Sequence, residues 1–220
     1  MTKSFEKEFG ESSSILICSM NEQMVEEVSY IHMEAFKGSM NTLLGVRYLK
    51  NFFKWFLNLE EGVALVVKKK INKKMQVVGY VVGAPLGYGK ALNQDLFWIV
   101  FKSILVRPWL LFKPQFRSTI KARLVTLFRS PPIQIGKTEL PSPVLSLVGL
   151  GVLPRQQGEG LGKELLCAFE AQARRLCMRS LVLSVYPENS TARHIYEKCG
   201  WFPFEKKDTS EKAITYFRIL

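Results

Sequence analysis

The stretch from Leu145 to Leu166, LSLVGLGVLPRQQGEGLGKELL, narrows the possible folds more than any other part of the chain. An apolar run of strand type ends at Val152, and Pro154 stops it because proline has no N–H to give a ladder. Gly158, Gly160 and Gly162 follow, and then Leu161, Leu165, Leu166 and Phe169 recur at helical spacing. The order is strand, glycine-rich turn, helix. The first turn of such a helix has unpaired backbone N–H groups, and the helix dipole adds partial positive charge there. Glycines let that backbone approach a ligand closely. The turn is therefore an anion cradle suited to a pyrophosphate, with the Lys163 cation at its rim. A Walker loop would need Ser or Thr after Gly162-Lys163, where this chain has Glu164. A dinucleotide fingerprint belongs in an early strand–helix unit with an acidic residue farther on. Here the turn lies late in the chain, and a proline separates strand from glycines.

A second pattern follows downstream. Leu181 to Tyr186 reads as another strand, and after it comes Asn189-Ser-Thr-Ala192-Arg-His-Ile-Tyr196-Glu-Lys-Cys-Gly200-Trp201. Positions 189, 192 or 193, and 196 share one helical face. Asn189 suits the helix N-cap, and Gly200 suits the left-handed residue that ends a helix. The first pattern, Val152-x-Pro154-x-x-Gln157-x-x-Gly160-x-Gly162, resembles the acyl-CoA signature of the GNAT superfamily of N-acetyltransferases. The register Arg155-x-x-Gly158-x-Gly160 also fits the letters; the distance from Pro154 and the Gly-x-Gly-Lys that opens the helix favour Gln157. The second pattern resembles that family's Asn-x-x-Ala-x-x-x-Tyr-x-x-x-Gly-Phe motif, with Trp201 for the usual Phe. Val77 to Gly83 resembles its third strand, V-x-G-x-x-x-G.

The resemblance covers roughly 14–84 and 143–220. It implies an α/β (α+β) GNAT fold: a mixed, mainly antiparallel twisted sheet flanked by helices, splayed between the fourth and fifth strands to admit the cofactor. The fourth strand would present backbone groups of Leu150, Gly151 and Val152 to the pantetheine and the thioester carbonyl. Gln157, Gly158, Glu159, Gly160, Leu161, Gly162 and Lys163 would hold the pyrophosphate of acetyl-CoA. Asn189 would contact the pantetheine arm, and Tyr196 would protonate the departing thiolate as general acid. No metal is implied. The general base is open, with His32, Glu34, Tyr186 and Glu188 as candidates. The implied activity is transfer of an acetyl or acyl group from acetyl-CoA to a primary amine, by direct attack in a ternary complex. The alternative is a non-catalytic CoA-binding or membrane-surface protein on the same fold.

The chain of 220 residues reads as a single domain over 1–220, and 47% hydrophobic residues suffice for a core. Residues 1–12 read as polar and frayed, with no signal peptide. Cys18, Cys167, Cys177 and Cys199 have no metal-ligand spacing and read as reduced core residues. The expected location is cytoplasmic. Asn21 is a candidate cap for a first amphipathic helix that carries His32, expected to be a packed histidine. A second, aromatic-rich helix is expected over 41–59, and strands over 62–69 and 75–84 with a hairpin turn at Ile71-Asn72. The lysines around that turn read as solvated.

The net charge is +12, and from Leu86 to Arg129 eight basic residues face one acid, Asp95. The 58 residues from Pro85 to Ser142 stand where the family has a short connection. We read 86–142 as a basic, apolar, helical insertion between the third and fourth strands of the expected sheet. Asp95, Lys102, Arg107 and Pro108 interrupt its apolar run, which excludes a transmembrane helix. A second helical face is expected at Phe116, Ile120, Leu124, Leu127 and Phe128, and the prolines at 131, 132, 141 and 143 suggest an extended return path. The insertion is expected to cap the acceptor groove. Peripheral contact of 86–130 with an anionic membrane is the second reading, and no nucleic-acid motif accompanies the charge. The acceptor would be a small-molecule or carrier-linked amine, and a homodimer is compatible with the sequence.

Overall fold

The computed structural model describes residues 6–8, 15–112, 140–204 and 213–220. An eight-stranded sheet runs through them in the order β1-β2-β3-β4-β5-β6-β8-β7. The strands are β1 (Glu6–Glu8), β2 (Ile15–Ser19), β3 (Val63–Ile71), β4 (Lys74–Pro85), β5 (Val144–Val152), β6 (Ser180–Val185), β7 (Phe202–Pro203) and β8 (Ile214–Ile219). Every pairing is antiparallel except β5 with β6, which is parallel. The strand expected as the fourth is thus β5, because β1 adds an edge where a frayed terminus was expected: Glu6 pairs with Cys18 and Glu8 with Leu16.

The helices are α1 (Val25–Ala35), α2 (Met40–Leu44), α3 (Val46–Leu57), α4 (Gly89–Val106), α5 (Leu161–Arg175) and α6 (Ser190–Lys198). The face carrying Tyr80 lies under α1 and α3, while Leu165 and Phe169 of α5 pack on Gly79 and Gly83 from the other side. The Asn21 side chain accepts a hydrogen bond from Met24 N at 3.2 Å and so starts the first helical segment.

The second expected helix is two helices. Gly45 adopts φ 91°, and a Cβ there would collide with the Arg107 guanidinium. Arg107 Nη1 donates to the carbonyls of Leu43 (3.3 Å) and Leu44 (2.8 Å), closing the end of α2. Four of the five aromatic residues of α3 are core: Tyr48, Phe52, Phe53 and Phe56 form one buried stripe with Leu49, and Trp55 is half-buried. The Phe53 and Tyr80 rings meet edge to face at 5.0 Å. Burial of each such ring contributes about 2 kcal/mol.

The hairpin turn falls at Asn72-Lys73, one residue later than the composition suggests, because both central residues take positive φ, 49° and 64°. Between β4 and β5 the insertion begins as α4, followed by a 3-10 turn over Pro108–Phe112. Trp55 of α3 donates to Asp95 of α4 at 2.8 Å. The expected second face at Phe116–Phe128 and most of the return path lie outside the described residues. Among the described residues no helix is long and apolar enough to cross a membrane.

Candidate functional site

The sheet opens where β5 leaves β6. The two strands pair only from Val144–Ser146 to Ser180–Val182, whereas β5 stays paired with β4 from Leu145 to Val152. The opening begins where the β4–β5 register shifts: Gly83 lies opposite Leu147 but Val82 lies opposite Gly149, so Val148 is an extra residue. A bulge of this kind bends its strand. Beyond it the edge of β5 facing β6 has no strand partner.

Alternation decides which groups occupy that edge. Leu153 N donates to Val78 O at 2.9 Å, so the Leu153 and Gly151 amides point toward β4. The amides and carbonyls of Leu150 and Val152 then point into the opening. Gly151 has a different reason to be glycine: a Cβ there would lie 2.8 Å from the Tyr80 ring.

Past Val152 the chain makes a 3-10 turn at Pro154–Gln156 and enters α5 through the glycines. Gly158 and Gly160 take φ 85° and 81° with open space where a Cβ would stand, so conformation requires them, not crowding. Gly160 is the N-cap of α5 and provides no side-chain cap, which leaves the first-turn amides facing outward. Residues 158–160 and Lys163 are exposed, while Leu161 is buried in the core. Gln157 lashes the turn to the strand, donating from Nε2 to Val152 O at 3.0 Å. Lys69 of β3 donates to Gln156 at 2.9 Å and is ion-paired with Glu159. Lys69 is thus not one of the solvated lysines expected at the hairpin: it braces the turn. Glu159 turns its carboxylate to that lysine.

Asn189 caps α6, its side chain accepting from Ala192 N at 3.1 Å. α6 lies beside α5: a Cβ on Gly162 would stand 3.7 Å from Ile195 and 3.8 Å from Leu150, ordinary contact. Tyr196 is buried on the inner face of α6, against Trp201 and Tyr216. Burial pushes its phenol up to about 12, so it is protonated at neutral pH and can donate a proton.

The four candidate bases occupy different settings. Tyr186 and Glu188 are exposed, and Glu34 pairs with Lys37 at 3.3 Å. His32 is buried, and its Nδ1 shares a 2.6 Å hydrogen bond with the Tyr80 hydroxyl. Its Nε2 is buried without a hydrogen-bond partner among the described residues. Desolvation lowers its pKa to about 4, so it is neutral at physiological pH. Tyr80 is fully buried; burial raises its pKa well above the usual value, and charge on Tyr196 adds to the rise. The two phenols are therefore close enough to sense each other. Tyr80 was missing from the expected site, although a lone tyrosine in the aliphatic strand VVGYVVG was a visible signal.

Behind Tyr196, Glu170 is buried with Trp201 Nε1 donating to it at 2.7 Å and Arg218 Nη1 at 3.0 Å. Burial raises the Glu170 pKa against the pull of both donors. Arg218 also donates to Cys199 O at the end of α6. Cys18, Cys167 and Cys199 are half-buried, but Cys177 is exposed, which corrects the expectation of four core thiols. Among the described residues no group of His, Cys, Asp and Glu could hold a metal ion.

Residues 123–201 match the family model described as the acetyltransferase (GNAT) family. No curated protein matches the chain. Similar solved structures include SsHAT, 17% identical with TM-score 0.60 over 94% of this chain and 98% of that one. The acetyltransferase yncA of Salmonella typhimurium, solved with acetyl-CoA, is 14% identical with TM-score 0.53, covering 94% of each chain. A chain of the NatC complex bound to Gag peptide and CoA is 12% identical with TM-score 0.55, over 94% of this chain and 99% of that one.

Proposed function

We propose that this chain, which carries the GNAT acetyltransferase fold and the family's match over 123–201, transfers an acetyl group from acetyl-CoA to a primary amine. The observation that supports this most is the unpaired edge of β5 running directly into an uncapped helix start. The open-edge amides of Leu150 and Val152 and the carbonyl of Leu150 would pair with the pantetheine arm and the thioester. The amides of residues 158–162 and Lys163 would take the pyrophosphate. Among the residues proposed from the family motif, Gly151 would act through the packing of Tyr80, and Glu159 through Lys69.

In the reaction the amine nitrogen attacks the thioester carbonyl while both are bound. The carbonyl oxygen becomes an oxyanion held by a β5 amide. The C–S bond breaks, and the thiolate takes the Tyr196 proton. The nitrogen loses its own proton to water and the Tyr196 phenolate regains one, which leaves the neutral amide and the free CoA thiol. His32 and Tyr80 form a buried hydrogen-bonded pair on the α1 side of β5. Four cysteines that form no disulfide among the described residues suit a reducing, cytoplasmic setting. The acceptor class proposed is a small or carrier-linked amine.

Calorimetric titration with acetyl-CoA tests the site, using the native protein and Gly162→Asp. A Cβ at Gly162 has room, and Asp is favourable in a first helical turn, so the variant should fold. Its carboxylate stands in the cradle, and binding should fall by about 100-fold or more. Thiol release on adding an amine panel then distinguishes an enzyme from a protein that only binds CoA. No binding by the native protein refutes the reading.

A further inference from the structure

Exposed apolar side chains occur in several places among the described residues, with Tyr30, Val46 and Met75 about one groove. On α4 and the turn after it they are contiguous. Trp98, Phe101, Leu105, Val106, Trp109 and Phe112 all face solvent, Trp98 at 66% and Phe112 at 85% exposure. The Trp98 ring meets Phe97 at 5.5 Å and Phe101 at 5.9 Å, both edge to face, so one aromatic cluster lies on the surface. Buried contact is confined to a narrow stripe, with Leu92 and Leu96 its fully covered members.

Beside this strip is a cleft of about 190 Å³ between α4 and the α2–α3 corner. Arg47, Lys102 and Arg107 line it with Ser103, and no carboxylate does. Arg107 is fixed by the carbonyls of Leu43 and Leu44, while Arg47 and Lys102 enter no ion pair among the described residues. A cleft this small suits a phosphodiester rather than a nucleotide. The sequence that continues from Phe112 adds six more cations over 113–139 against one acid, Glu139.

We propose that α4, the Pro108–Phe112 turn and the Arg47–Lys102–Arg107 cleft form a docking surface for an anionic lipid bilayer. The tryptophans and aliphatic side chains enter the headgroup boundary, and the cleft takes a lipid phosphate. Tryptophan is suited to that boundary because its ring is apolar and its N–H is not. Apolar area and basic charge together give such a helix its affinity, and neither suffices alone. None of these residues belongs to the proposed acetyl-transfer site, so the inference does not rest on the acetyl-transfer reading.

Co-sedimentation with vesicles of phosphatidylcholine, alone or mixed with phosphatidylglycerol, tests it on the full chain. The native protein should bind the mixed vesicles at physiological salt and bind the neutral ones far less. Trp98→Ser with Trp109→Ser should abolish binding. Arg47→Ala with Lys102→Ala should weaken it by about tenfold, and high salt should do the same. All four positions are at the surface, and circular dichroism would verify their folding. Failure of the native protein to bind mixed vesicles overturns the proposal, as does binding that neither double variant alters. Quenching of Trp98 by aqueous acrylamide, read as the difference between the native protein and Trp98→Phe, identifies other occupants. A Trp98 shielded in the lipid-free monomer means that residues 113–139 cover the strip. Shielding only in a concentration-dependent dimer means that a second copy does. Either result overturns it.

Discussion

The two faces of the sheet use opposite materials. On the α5 and α6 side the candidate site is made largely of backbone: the free edge of β5, the turn at 158–162 and the cap at Asn189. On the α1 and α3 side it is made of buried side chains: the stripe of α3, the Tyr80 ring and His32. A backbone site needs particular residues at fixed spacing, since φ > 0 or a helix cap demands Gly or Asn. A side-chain site needs only volume and shape, which many residues supply.

The largest effect that would sharpen this contrast is at Tyr196, the side chain on which the backbone face depends. Tyr196→Phe keeps the ring among Trp201 and Tyr216 but removes the proton donor. We expect kcat to fall by about 100-fold with the KM for acetyl-CoA unchanged. With its pKa at about 12, the native enzyme should show no loss of rate from Tyr196 until the pH approaches that value. A Phe variant with native kcat would transfer the acid role elsewhere.

The next effect lies on the side-chain face. His32 has a folded pKa of about 4 against 6.5 unfolded. Below pH 6.5 the unfolded chain takes up a proton that the folded one refuses. The stability present above pH 6.5 is therefore lost as the pH falls toward 4, by about 3 kcal/mol in full. Urea melts of the native protein and His32→Leu across that range would test it, and the difference between the two should carry this slope. An unchanged slope would mean that His32 is hydrated or charged.

The smallest effect concerns the residue that departs from the family motif. Trp201→Phe restores the usual residue but leaves Glu170 without the Trp201 N–H. We expect a loss of about 2 kcal/mol in chemical denaturation, with acetyl-CoA affinity retained. A neutral result would make the substitution one of shape alone.

Legibility in the sequence followed the same division. The strand–turn–helix at 145–166, the Asn189 cap and the position of Tyr196 were readable because periodicity and backbone chemistry set them. Reading failed where a distant side chain decided the local outcome. Gly45 breaks the second helix under the guanidinium of Arg107, a residue 62 positions later. Lys69 sits in a lysine run that looks like solvated surface, yet its partners are Gln156 and Glu159. Tyr80 belongs to the site through His32 and Tyr196, neither of them near it in sequence. Glu170 looked like an ordinary helix carboxylate until Trp201 and Arg218 were seen to close on it.

The Arg107 clasp bears on whether α4 can be removed from this chain. A segment joined only at its two ends could be lost or exchanged as a cassette. Here the guanidinium at the end of α4 satisfies two carbonyls of the α2–α3 corner, and Gly45 leaves the space that it fills. Excision of the helix would take the Arg107 guanidinium from those carbonyls and from beside Gly45. The α2–α3 corner and α4 depend on each other, and a chimera that grafts α4 elsewhere must carry Gly45 with it.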